Sequence, residues 1–313
     1  MKLFSITDKL ETSSIATAKS GIDKTSEIEM STEGLYASFF ELTERPFTLL
    51  PDPSLLYWSA QHKRAFSVLE YGLLSRAPIT LVSGEVGSGK TTLIQALLSK
   101  RTPNLVIGLI SNAQGGRGEL LQWVLNSFGI DAAPLGDNYV SLFQRFQDFL
   151  LEQYAAGNRV VLMIDEAQNL SVEGLEEIRM LTNVNSNKDE LIQLILVGQP
   201  ELRDIVSSPQ MRQLAQRIAA SFHIGPLDHD STGRYIAHRL KSVGGTGEEF
   251  TPEAAHFVFM KTGGVPRLVN QLCDLSMVYA WSADTRTVTE ATVRNVIEDG
   301  LFHYGELAAG AAA

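Results

Sequence analysis

Cysteine is almost absent from this chain: of 313 residues, only Cys273 is one. An intrachain disulfide is therefore excluded. Set in the apolar periodic run LVNQLCDLSMVYA, the thiol reads as a packing residue rather than a nucleophile. Long apolar runs are missing as well. Those at 160–164 and 194–197 fall far short of the roughly 20 residues that a membrane-spanning helix needs, so no transmembrane segment is expected. The opening MKLFSITDKLETSS has no apolar stretch of the kind an export leader carries, and a cytoplasmic protein is the expectation. Positive charge is in deficit: 26 Lys and Arg against 36 Asp and Glu give a net charge of -10. That disfavours a broad surface for nucleic acid or anionic lipid. Histidines are few, and His62, His223, His229, His238, His256 and His303 show no metal-ligand spacing with acids or cysteines.

What is present is organised in blocks. Residues 1–33, rich in Ser, Thr, Lys and Glu without periodicity, read as a disordered tail. In the next block, 34–77, the stretch YASFFELTERPFTLLPDPSLLYW is too dense in proline for a regular helix. It suits an apolar strap laid on a neighbouring surface, and a helical pattern follows at 61–76. From 78 to 225 strand-like runs at 79–83, 105–110, 160–164, 191–197 and 221–224 alternate with helical patterns at 91–101, 119–128, 139–154 and 172–181. Apolar strands alternating with helices imply an α/β core: a parallel sheet of five strands covered on both faces. The run SPQMRQLAQRIAA reads as one further helix. Residues 226–303 carry only helical patterns, a lid domain, and 304–313 read as a flexible tail.

Directly after the first strand stands Gly84-Glu85-Val86-Gly87-Ser88-Gly89-Lys90-Thr91, followed by Thr92 and a helix. The pattern GxxxxGK[ST] in a strand–loop–helix setting marks a P-loop. Glycines let the backbone wrap a phosphate chain with its N–H groups inward, and the helix N-terminus adds a favourable dipole. Lys90 is placed to reach the outer phosphates and Thr91 to ligate Mg²⁺, so ATP and Mg²⁺ are the expected ligands.

The apolar run VVLMI ends in Asp165 and Glu166. A carboxylate at the tip of a buried strand beside a P-loop can hold Mg²⁺, and a second one can polarise an attacking water. Asn112 and Gln199 also follow strands, at the sheet edge where ligands of open α/β sheets sit. Gln199 suits contact with the terminal phosphate or the water. Asn112 suits holding Glu166 away from that water. Arg212 and Arg217, five apart, do not share a helix face, and either can offer a guanidinium to a neighbouring subunit. Arg267 opens a helix, an unfavourable place for a cation unless an anion binds there. The acids Glu173, Glu176 and Glu177 read as a solvated helix face.

Taken together, the 36–74 strap, GEVGSGKTT, MIDEAQNL, LVGQPEL, LAQRI and GGVPR resemble the AAA+ ATPases, and within them the ExeA/GspA-type branch. More loosely, they are similar to the TnsC/TniB/MuB transposition ATPases. The resemblance implies a P-loop NTPase core with a C-terminal helical lid, Walker A at residues 84–91 and Walker B at Asp165 and Glu166. It also implies sensor 1 at Gln199, an arginine finger at Arg217, sensor 2 at Arg267, and a homo-oligomer. Full-length secretion-pathway members continue into a membrane span and a peptidoglycan-binding domain. Because this chain stops at Ala313, the expectation is a stand-alone ATPase serving an envelope export or exopolysaccharide system, peripheral to the inner membrane through a protein partner. The alternative is a DNA-binding transposition regulator. Seven Lys and Arg against eleven Asp and Glu between 228 and 313 disfavour it, since DNA filaments need phosphate-neutralising patches.

Overall fold

A computed structural model of the chain describes residues 36–100, 103–111, 119–132, 138–186 and 189–302. Asn112 and the expected tails, 1–33 and 304–313, lie outside them. Seven strands and eleven α-helices occur among the described residues. The five long strands are β1 (Ile79–Gly84), β2 (Leu105–Ser111), β3 (Arg159–Asp165), β6 (Ile192–Gly198) and β7 (Ile218–Ile224); a short antiparallel pair, β4 (Asn185–Ser186) and β5 (Asp189–Glu190), precedes β6. The long strands form one parallel sheet in the order β2-β3-β6-β1-β7. Every residue of β1 and β6 is buried, as near-continuous Ile, Leu and Val content demands of strands covered on both faces.

Each sheet face has its own apolar layer. Leu81, Leu162 and Leu194 pack with α3 (Glu119–Ser127), α4 (Tyr139–Ala155), α5 (Val172–Leu181) and α6 (Pro200–Ser207). Val82, Met163 and Ile195 pack with α1 (Ala60–Ser75) and α2 (Lys90–Ser99). The third core lies outside the sheet. There α8 (His229–Ser242), α9 (Pro252–Thr262), α10 (Pro266–Ser282) and α11 (Glu290–Glu298) surround Leu272 and the fully buried Cys273. None of the described helices is long and apolar enough to cross a membrane.

The aromatic strap joins this third core. Tyr36, Phe40, Phe47 and Leu55 are buried against the C-terminal helices. Its polar backbone is satisfied there too: Arg239 Nε donates to the Pro46 carbonyl and Asn270 Nδ2 to that of Thr48 at 3.1 Å. Asp274 accepts from both Tyr36 and Arg45.

Three sequence expectations need correction. The run at 208–220 is not one helix: a 3-10 turn (Pro209–Met211) and α7 (Arg212–Ala215) are followed by β7, which begins at Ile218. Arg, Gln, Leu and Ala favour helix locally, but pairing of Ile218 and its successors with β1 overrides that preference. Helix α6 in QPELRDIVS was not foreseen, although Pro200 at its start is a standard opening. Glu177 is buried rather than solvated, because it shares the inward side of α5 with Leu175, Ile178 and Leu181.

Candidate active site

Adjacent strands bring Gly84, Asp165 and Gly198 to one edge of the sheet, at the C-terminal ends of β1, β3 and β6. Gly84 leads into the P-loop. Gly87 and Gly89 have φ of 77° and 91°, left-handed values that side chains resist. Gly87 is further restricted by contact, since a Cβ there would stand 2.3 Å from the Cβ of Arg267. Gly89 caps α2 without a side-chain bond, leaving first-turn N–H groups for an incoming acceptor. The Ser88 hydroxyl is buried without a partner in the same loop.

Lys90 Nζ donates to the Gly84 and Glu85 carbonyls at 2.7 and 2.9 Å. Burial lowers its pKa against the opposing pull of Glu166 and Asp165. Thr91 Oγ1 donates to Asp165 Oδ2 at 2.8 Å, and the Glu166 N–H donates to Asp165 Oδ1 at 3.0 Å. Burial dominates at Asp165 and pushes its carboxyl above the usual range in spite of these bonds. Glu166 itself has φ of 54°. Burial raises its pKa, but amide bonds from Gln199 and Gln168, with Lys90 nearby, outweigh that and hold the carboxyl below its ordinary value. Gln199 Nε2 lies 3.0 Å from Glu166 Oε2.

The P-loop forms the floor of a cleft enclosing about 990 Å³, its open mouth included. One wall comes from the strap between residues 48 and 57, the other from α8 and α10, including Tyr235, Arg239, Arg267 and Asn270. Arg267 thus meets the P-loop, its backbone N–H 3.3 Å from the Gly87 carbonyl, and its side chain has no acid partner among the described residues. Arg217 lies elsewhere. It precedes Ile218, whose register partner Ile79 starts β1, so it sits at the opposite end of the sheet from the P-loop. Its guanidinium donates to the Thr182 carbonyl at 3.1 Å and to the Thr182 hydroxyl at 3.0 Å, and reaches the Asn183 side chain. Arg212 is exposed at the start of α7, without an ion-pair partner among the described residues.

Two residues were not foreseen in the site. His62, on α1, lies beneath the P-loop: Nε2 is 2.9 Å from the Ser88 carbonyl and Nδ1 is 2.7 Å from Ser59 Oγ. Burial lowers its pKa, favouring the neutral ring, and the carbonyl requires the single proton on Nε2. Metal-spacing rules could not find it, because its role is to brace a loop distant in sequence. Gln168 was visible in the DEAQ run, but no role was assigned to it.

The residues fit a nucleotide and Mg²⁺. An uncapped helix start, glycines at positive φ, an orphaned Ser88 hydroxyl and Lys90 all suit phosphate. Thr91 and Asp165 offer only oxygen donors, which suit a hard cation. Among the described residues no group of three or more His, Cys, Asp or Glu is placed to hold a metal, so an ion here needs oxygens brought by phosphate.

A family model described as an AAA domain matches residues 73–206. With the 2-3-6-1-7 sheet and its P-loop cleft, that match gives the chain a P-loop NTPase core of the AAA type. The chain is similar to General secretion pathway protein A of Aeromonas hydrophila, 36% identical over 259 residues, 83% of this chain and 47% of that protein. Mu-like prophage FluMu DNA transposition protein B of Haemophilus influenzae is 29% identical over 140 residues, 45% of this chain and 44% of its own length. The chain therefore spans about half the length of the curated relatives it matches. Among solved structures, the ADPNP–ADP complexes of the Aeropyrum pernix ORC2 protein share the fold with a TM-score of 0.56 at 16% identity, covering 76% of this chain and 66% of that one.

Proposed function

We propose that the chain hydrolyses Mg-ATP at this cleft and uses the cycle to drive assembly or remodelling of an envelope secretion or export system. The observation that carries the reading is the convergence of Lys90, the Thr91–Asp165 pair and Glu166 on one P-loop. In this account the α2 N-terminus, Ser88 and Lys90 bind the phosphates, and Thr91 and Asp165 hold Mg²⁺. The ion would neutralise charge that develops on the phosphate oxygens. Glu166, once released from its two amide donors, accepts a proton from water. Gln199 orients that water or the terminal phosphate, and Arg267 adds charge from α10.

A homo-oligomer is part of the proposal, and the position of Arg217 supports it. Strand β1 is six residues long, roughly 20 Å, and separates Arg217 from its own P-loop. An arginine there does not reach its own P-loop, and in this account it serves a neighbour's site after leaving Thr182 and Asn183. The link to secretion rests on the relative from Aeromonas hydrophila. Phosphate release measured with Mg²⁺ and with chelator tests the chemistry, and recovery of a partner by Glu166→Gln protein in ATP tests the export role. A DNA-binding regulator is the second reading, favoured by the match to the Haemophilus protein over 140 residues. Steeply salt-dependent DNA binding that needs ATP would select it.

A further inference from the structure

Arg217 has a built resting place at the C-terminal end of α5. Its backbone is fixed: the Arg217 N–H donates to the Leu214 carbonyl at 2.9 Å, and β7 begins at the next residue. The side chain reaches back to α5. There Nη1 donates to the carbonyl and hydroxyl of Thr182, and Nη2 donates to Asn183 Oδ1. The Thr182 hydroxyl is free to accept because its own hydrogen goes to the Arg179 carbonyl at 2.7 Å. Thr182 is the C-cap of α5 and is buried, and Leu175, Ile178 and Leu181 anchor the helix that carries it. The negative end of the helix dipole adds a weak attraction for the cation.

All three of these acceptors are neutral. Among the described residues no carboxylate forms an ion pair with Arg217. Glu190 feels its charge, which opposes the rise that burial causes in the Glu190 pKa. A guanidinium held by neutral oxygens leaves them readily for phosphate, whose charged oxygens it can take in pairs. With its backbone fixed between α7 and β7, the side chain can make that exchange by rotation alone.

We propose that Thr182 and Asn183 are positioning residues that form a resting site for Arg217 and withhold it from a neighbouring subunit until a terminal phosphate draws it away. The proposal rests on the reading of Arg217 as the arginine that acts in trans. An interaction made by a minor side-chain state is weakened by the fraction of molecules in that state. The resting site therefore sets the protein concentration at which subunits activate one another. It does so without touching the P-loop, which lies at the other end of β1.

The test follows ATPase activity at saturating Mg-ATP as protein is diluted through the range in which sedimentation shows assemblies to dissociate. Thr182→Val/Asn183→Ala protein lacks two of the three acceptors. Its concentration for half-maximal activity is expected to fall on the order of fivefold, with the calorimetric Kd for ATP unchanged. Sedimentation in ADP, which offers no terminal phosphate, should match the parent. Thr182→Ser keeps the accepting oxygen and should behave as the parent, which separates loss of the acceptor from disturbance of a buried position. Asn183→Ala alone, at an exposed position, should shift the midpoint the same way by less, and guards against a folding defect at Thr182. Combined with Arg217→Ala, the double substitution should change nothing further. An unchanged or higher midpoint in both Thr182→Val/Asn183→Ala and Asn183→Ala, while Arg217→Ala is inactive, overturns the proposal. If Arg217→Ala turns over at the parent rate, the reading beneath it has failed instead.

Discussion

The hydroxyl of Thr91, on the first turn of α2, donates to Asp165 at the tip of β3 across 2.8 Å. The bond joins two stretches 74 positions apart in the chain. It leaves Asp165 with one oxygen on Thr91 and the other on the Glu166 N–H, so the carboxylate is oriented from both sides. Asp165→Asn preserves the shape and removes the charge. It should weaken ATP binding in the presence of Mg²⁺ and leave Mg²⁺-free nucleotide binding nearly unchanged. Paired calorimetric titrations check this, and an equal loss in both would remove Asp165 from the metal.

Lys90 is buried and bonded only to backbone carbonyls, with no direct ion pair among the described residues. Lys90→Ala should therefore abolish nucleotide binding without unfolding the chain. Circular dichroism and calorimetry on the same sample decide the matter. Undiminished ATP affinity in the folded variant would end the phosphate assignment.

His62 gives a prediction in pH. Its pKa is lowered in the folded state by burial. Below about pH 6.5 the unfolded chain binds a proton that the native chain does not, so stability falls as pH drops from there toward the folded pKa. The slope from this group is at most about 1.4 kcal/mol per pH unit. Urea unfolding of parent and His62→Leu protein between pH 7.5 and 5.5 should show a shallower decline in the variant. Parallel declines would mean His62 is not the group responsible.

Arg217 and Arg267 differ in which site they reach. Arg217→Ala and Lys90→Ala proteins, each inactive alone, should regain activity when mixed, because an intact P-loop can then face an intact arginine. A trans arginine contributes roughly 10³–10⁵ to kcat where it is used. Arg267→Ala mixed with Lys90→Ala should stay inactive, since Arg267 meets the P-loop of its own chain. Proven co-assembly without recovery in the first mixture would transfer the role to the exposed Arg212 or end the trans account.

Much of this site was legible because it is local. Gly87 and Gly89 are needed for backbone angles that depend on their own positions, and the Asp165–Glu166 pair ends a strand whose burial is written in VVLMI. The central strands were legible for the same reason. What escaped depends on distant partners. His62 braces Ser88 from another helix, and the strap, itself legible as one, is fixed beside the cleft by Arg239 and Asn270, both far along the chain. The segment at 208–220 misled because its composition favours helix, while β1 offers Ile218 a ladder that no local pattern reveals.

The central claim is that Glu166 activates water for ATP hydrolysis in this cleft. The most direct measurement is single-turnover hydrolysis of Mg-ATP by Glu166→Gln protein whose nucleotide affinity has been measured on the same sample. The account predicts retained binding with hydrolysis slowed on the order of 10²–10⁴-fold. Hydrolysis at the parent rate with binding intact would contradict it.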